Sequence, residues 1–198
     1  MLDVDVAQSR LKEISEETIS AHKRFVDVSL PILAQIADAI IRSLANGGTL
    51  YLCGNGGSAA DAQHVAGELV GRFVQESDPW RAIALTTDSS VLTCIGNDWD
   101  YTDVFARQIR AHVRPGDIVA GITTSGSSPN ILKALSDARD RGAVTIGFTG
   151  LKGESLRDCV DHCFVAPVAH TPRVQELHLL AWHGICELVE EELMQHAG

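Results

Sequence analysis

No two of the five cysteines (Cys53, Cys94, Cys159, Cys163 and Cys186) stand in C-x-x-C spacing. Their odd number excludes a framework in which all are paired, and they read as reduced thiols of a cytosolic, cytoplasmic chain. Long apolar runs are also missing. None approaches the roughly 18 residues of a membrane span, so no membrane partner is expected. Met1 to Arg10 lacks a basic-then-apolar order, and no signal peptide is expected. Positive charge is scarce: 16 Lys and Arg against 26 Asp and Glu give a formal net charge of −10. That balance argues against nucleic acid as a partner. It leaves an anionic substrate open, because backbone N–H groups can hold one locally. The G-x-x-x-x-G-K-[ST] loop of nucleoside triphosphate enzymes is absent, and no linker or internal repeat divides the chain.

What is present centres on Leu50 to Phe73. An apolar run, Thr49 to Cys53, has the length of a buried strand. Gly54, Gly56 and Gly57 follow, so the chain can turn tightly and leave N–H groups exposed. Ser58 is then expected to cap a helix. Strand, glycine loop and helix N-terminus together favour an anion. His64 and Glu68, four residues apart, fall on one face of that helix. Gly54-x-Gly56-x-x-Ala59 also satisfies the dinucleotide fingerprint, which wants an acidic residue about 20 positions on. Glu76 precedes the next strand and Asp88 comes too late, so that reading fits badly.

Residues 3 to 46 read as two helices, with Pro31 in the first turn of the second and Asn46-Gly47-Gly48 at its end. Their apolar faces need the sheet or another subunit to cover them. A second strand is expected over Ala82 to Leu85, a short helix from Asp88 and Ser89, a polar loop at Gly96-Asn97-Asp98, and a helix over Tyr101 to Val113. Ile118 to Ile122 reads as strand, followed by the hydroxyl loop Thr123-Thr124-Ser125-Gly126-Ser127-Ser128. Ser128 and Pro129 open the next helix. Val144 to Phe148 and a run around Phe164 are the last strands, and a long helix from Thr171-Pro172 buries Val174, Leu177, Ala181, Ile185, Leu188 and Val189. Cys159, His162 and Cys163 are metal-ligand types, but Cys163 opens the buried run to Val165. Apolar strands alternating with helices imply an α/β, doubly wound, five-stranded parallel sheet flanked by helices, a single domain over 1–198. Ligands of such sheets bind at the carboxyl ends of the strands, where the strand order switches. Five hydroxyls without a lysine suit a phosphate monoester.

Gly54-Asn55-Gly56-Gly57-Ser58-Ala59-Ala60-Asp61-Ala62-Gln63-His64, Leu92 to Asp98, Ile122-Thr123-Thr124-Ser125-Gly126 and Val174-Gln175-Glu176-Leu177-His178 through His183 resemble the sugar isomerase (SIS) domain. Within it they are similar to the phosphoheptose isomerase family. The resemblance implies a SIS, flavodoxin-like fold with N-terminal helices for subunit packing in a homotetramer. It implies an aldose–ketose isomerase joining D-sedoheptulose 7-phosphate and D-glycero-D-manno-heptose 7-phosphate, early in nucleotide-heptose synthesis. By resemblance the phosphate lies on Thr123, Thr124, Ser125 and Ser128, and the sugar meets Asn55, Gly56, Gly57, Ser58, Asn97, Asp98, Glu68 and Gln175. One zinc per subunit would be held by His64, Glu68, Gln175 and His183, with Glu68 and His183 the acid–base pair. The family's frequent Asp three positions before Gln175 is Pro172 here, so no carboxylate acts from that point. Gln175 and His183 are separated by about 12 Å of helix rise. Either both side chains lean inward, or a neighbouring subunit supplies a group. Relatives that bind the replication initiator protein lack the equivalents of Glu68 and His183, so the non-catalytic alternative is the weaker one.

Overall fold

The computed structural model describes residues 2–196. The outermost positions of the expected 1–198 domain, Met1, Ala197 and Gly198, lie outside the described residues. Two helices, α1 (Val4–Val28) and α2 (Leu30–Ala45), precede strand β1 (Leu50–Gly54) and helix α3 (Gly57–Val70). Then come β2 (Ala82–Ala84), α4 (Ser89–Asp98), α5 (Ala106–His112), β3 (Ile118–Ile122), α6 (Pro129–Asp140), β4 (Val144–Gly150), β5 (His162–Ala166) and α7 (Thr171–His196). The five strands are all parallel, in the order β2-β1-β3-β4-β5. This is the flavodoxin-like order, and its switch lies between β1 and β3.

The period of two along each strand divides the core between the two faces of the sheet. Leu50, Leu52, Ile118, Ala120, Ile122, Ile146, Phe148 and Phe164 point to a layer made by α2, α3 and α7. Tyr51, Cys53, Val119, Cys163 and Val165 point to the opposite layer with α5 and α6. In the first layer, Trp182 of α7 is fully buried and stacks on Phe148, centroids 4.3 Å apart and planes 9° from parallel. Phe164 meets Phe148 edge-on, and Phe25 of α1 meets Phe164 in turn. These contacts tie both ends of the chain to one strand pair.

Several expectations are corrected. Gly56, not Ser58, is the N-cap of α3; Ser58 is already helical and buried. Ser128 occupies the N-cap of α6, but its hydroxyl bonds Thr123 rather than the helix. Gly96-Asn97-Asp98 form the last turn of α4, not a loop. Tyr101 to Val113 divides into a 3-10 turn, Tyr101–Asp103, and α5, and a 3-10 stretch over Leu151–Cys159 was not anticipated. Leu188 is exposed instead of buried. Helix α1 buries only Ala21 and Phe25 and leaves Val4, Val6, Leu11, Ile19 and Val26 exposed. Cys159, His162 and Cys163 do not form a metal-binding group among the described residues. Burial pushes the Cys163 thiol up to about 11 and those of Cys53 and Cys186 to about 12, which leaves them inert. No single helix is long and apolar enough to cross a membrane.

His178 is fully buried beside Phe148 and Phe164, and its Nε2–H donates to the Thr149 carbonyl at 3.1 Å. Burial pushes its pKa from 6.5 down to about 4, with the Thr149 bond opposing. The unfolded chain therefore binds a proton that the folded chain refuses between those values. The stability that this histidine contributes is complete above pH 6.5 and is lost as the pH drops toward 4. We expect this histidine to account for a loss on the order of 3 kcal/mol over that window. Urea midpoints measured across it should flatten in His178→Gln.

Candidate functional site

Register places Gly54 at the end of β1 beside Ile122 at the end of β3, so the two loops that follow lie next to each other. The glycine loop turns at Gly56, whose φ of +55° lies in the region glycine adopts without strain. Its neighbour Gly57 opens α3 with the Gln175 amide packed against it, so that a Cβ there would displace that side chain. Asn55 and Asn130 exchange two amide hydrogen bonds, 2.9 and 2.8 Å, and so lock one loop to the other. Asn130 is buried, and sequence reading passed over it. The signal was weak, since asparagine after Ser-Pro is an ordinary helix-start residue.

In the second loop the hydroxyls converge. Thr123 Oγ1 lies 2.9 Å from Ser128 Oγ and 3.4 Å from Ser125 Oγ, and Ser127 donates to Ser125 Oγ. The cluster sits at the N-terminus of α6, where the helix dipole adds to its attraction for an anion.

The second part of the site lies where α3 runs alongside α7. His64 Nε2 is 2.8 Å from His183 Nε2 and 3.1 Å from Glu68 Oε1. One ligand atom from each of the three lies within 4.8 Å of the others. Two facing imidazole nitrogens and a carboxylate converge here, and a proton on one ring nitrogen or a cation among the three can join them. A tetrahedral zinc with bonds of about 2.1 Å separates its ligand atoms by about 3.4 Å, so small side-chain rotations admit the ion. The donor set and its spacing fit. Phe73 covers one side, its ring centroid 5.6 Å from that of His183. Asp61, one turn before His64, has a buried Oδ2 without a hydrogen-bond partner among the described residues. Burial pushes its carboxyl pKa up, partly offset by His64. Neither Phe73 nor Asp61 announced itself in the sequence.

Gln175 lies at Gly57, and His183 lies two turns further along α7. Asn97 and Asp98 are exposed at the end of α4, where Asn97 donates to Asp98 at 2.7 Å. Neither has a hydrogen bond to either loop among the described residues.

The profile of the SIS domain matches residues 15–150. The chain belongs to the SIS-domain family. This SIS-domain chain is 48% identical over 180 residues to the phosphoheptose isomerase of Roseiflexus sp. (strain RS-1), with 91% of each chain covered. It is 54% identical over 163 residues to that of Bradyrhizobium sp. (strain ORS 278), 82% of each. Among solved structures, a phosphoheptose isomerase from Francisella tularensis superposes with a TM-score of 0.90 at 34% identity, over 93% of this chain and 98% of that one. The phosphoheptose isomerase of Neisseria gonorrhoeae gives 0.88 at 37%, over 93% and 99%.

Replacing Asn130 by Asp removes the donor to Asn55 and sets a buried charge beside the hydroxyl loop. We expect a loss of about 1–3 kcal/mol, read as a lowered denaturant midpoint, and weaker protection by inorganic phosphate.

Proposed function

We propose that this phosphosugar isomerase interconverts D-sedoheptulose 7-phosphate and D-glycero-D-manno-heptose 7-phosphate, with Glu68 and His183 as its acid–base pair. The observation that carries the assignment is the approach of His64, Glu68 and His183 across α3 and α7. The identity to phosphoheptose isomerases over most of the chain supports the substrate. Such an isomerisation needs an open-chain carbonyl, a base that moves a proton between neighbouring carbons, and control of the oxygen charge. Glu68 takes the proton from C1 and returns it at C2. His183 protonates the ketone oxygen at C2 and accepts the hydroxyl proton at C1, so that the enediol forms without a free charge. Thr123, Thr124, Ser125 and Ser128 hold the phosphate, and Asn55, Gly56, Gly57 and Ser58 orient the sugar.

His64, Glu68, Gln175 and His183 would hold one zinc. A bound ion supplies Lewis acidity to the sugar oxygens. Side chains on a helix tilt toward its N-terminus, which brings His183 toward Gln175 but takes Gln175 away. Gln175 therefore joins the set by leaning inward, or from a neighbouring subunit. In a homotetramer the exposed apolar residues of α1 have a partner to cover them, and Asn97 and Asp98 can complete a neighbour's sugar site. The heptose product and the biosynthetic role support a cytoplasmic enzyme. The partner-binding alternative is not favoured beside relatives named as isomerases.

Turnover of sedoheptulose 7-phosphate by the purified protein tests the reading. Glu68→Gln should lose about 10²–10⁴-fold in kcat, and chelation should abolish turnover until zinc is restored. Normal turnover in Glu68→Gln removes the assignment. Light scattering should give the mass of four chains, and Ile19→Glu on α1 should lower it.

A further inference from the structure

Residues 71–81, between α3 and β2, form no regular structure, yet a buried carboxylate holds them. Glu190 of α7 is only 3% exposed. Its Oε2 accepts the backbone N–H of Val74 at 3.2 Å and of Gln75 at 3.0 Å. Burying a carboxylate is costly unless donors replace its water, and here the donors belong to a loop rather than to a cation. The residue immediately before Val74 is Phe73, the ring that lies against His183 at 5.6 Å, tilted by 33°. Glu190 and His183 are seven residues apart, two turns of α7, and therefore share a face. Cys186 lies between them on α7, close enough to feel both Glu68 and Glu190. One face of α7 thus carries the imidazole and, two turns on, the group that fastens the imidazole's cover.

We infer that Glu190 is a positioning residue for the isomerisation. By holding Val74 and Gln75 it sets Phe73 against the His183 ring. That contact fixes the rotation that aims Nε2 at His64 and Glu68, and it keeps water from one side of the imidazole. A carboxylate suits this task because one oxygen can accept both N–H groups, which an alkyl side chain of equal volume cannot do. The inference rests on the acid–base role given to His183 above.

The test compares Glu190→Ala, Glu190→Gln, Phe73→Ala and the double variant Glu190→Ala/Phe73→Ala in the full chain. Three quantities are read: amide hydrogen exchange at Val74 and Gln75, kcat against KM, and zinc affinity by competition with a chromogenic chelator. In Glu190→Ala the two amides exchange faster and kcat falls roughly tenfold or more, with KM changed less than about threefold. Zinc affinity falls by about tenfold, the scale of a lost outer contact to a ligand. Glu190→Gln, which keeps a carbonyl acceptor, recovers most of both. Phe73→Ala reproduces the losses in kcat and zinc affinity while the amides stay protected, and the double variant is no worse than Glu190→Ala. The inference is overturned if Glu190→Ala keeps wild-type kcat and zinc affinity while its amides exchange faster. It is also overturned if the two single losses multiply in the double variant. Should Glu190→Ala fail to fold, the half-buried Phe73→Ala decides: wild-type kcat and zinc affinity there dismiss the idea. Failure of the isomerase reading looks different, as absent turnover in the wild type, and the exchange and zinc measurements then still judge the contact.

Discussion

The site depends on how α7 seats on the sheet. Stacking Trp182 on Phe148 buries one of the largest apolar surfaces in the chain and allows α7 a single rotational setting. Successive residues of an α-helix are turned by about 100°. With Trp182 pointing into the sheet, His183 must point sideways, toward α3. The same setting puts Gln175 over Gly57 and Glu190 against the loop that carries Phe73. A polar constellation with little energy of its own is thereby held by apolar packing, which tolerates no small rotation.

The sheet contributes the other half. Its strand order reverses direction beside β1, so the chain leaves β1 and β3 on opposite sides and opens a crevice at their ends. Both loops enter that crevice with helix N-termini behind them, and the Asn55–Asn130 pair closes the gap between their backbones. The net charge of −10 does not oppose the phosphate site proposed there, because the attraction is local. It comes from N–H groups and hydroxyls a few ångströms away, while the distant carboxylates are screened by water and salt.

Much of the architecture was legible from residue pattern. The alternation of short apolar runs with 3.6-residue periodicity identified five strands and the long helices, because burial of a parallel sheet demands both. What failed was local. Ser58 and Ser128 have the residue type of helix caps, yet one is drawn inside its helix by the tight glycine turn and the other spends its hydroxyl on Thr123. Gly96, Asn97 and Asp98 are poor helix formers, but Asp88 caps the start of α4 and the helix continues through them. Leu188 keeps the apolar period of α7 while facing outward, since periodicity names a face without saying what covers it.

The amino-acid sequence by itself determined the order of elements, the glycine loop and the hydroxyl loop, and the His64–Glu68 pair, all of which arise from residues close together in the chain. Tertiary structure alone decided that His183 comes within 2.8 Å of His64, that the Gln175 amide packs on Gly57, that Asn130 ties the loops, and that Glu190 holds the segment bearing Phe73. The reason is range. Helix phase and loop turns follow from neighbours a few residues apart. Contacts such as Asn55–Asn130 and His64–His183 join residues 75 and 119 positions apart, and they exist only once the helices have packed on the sheet.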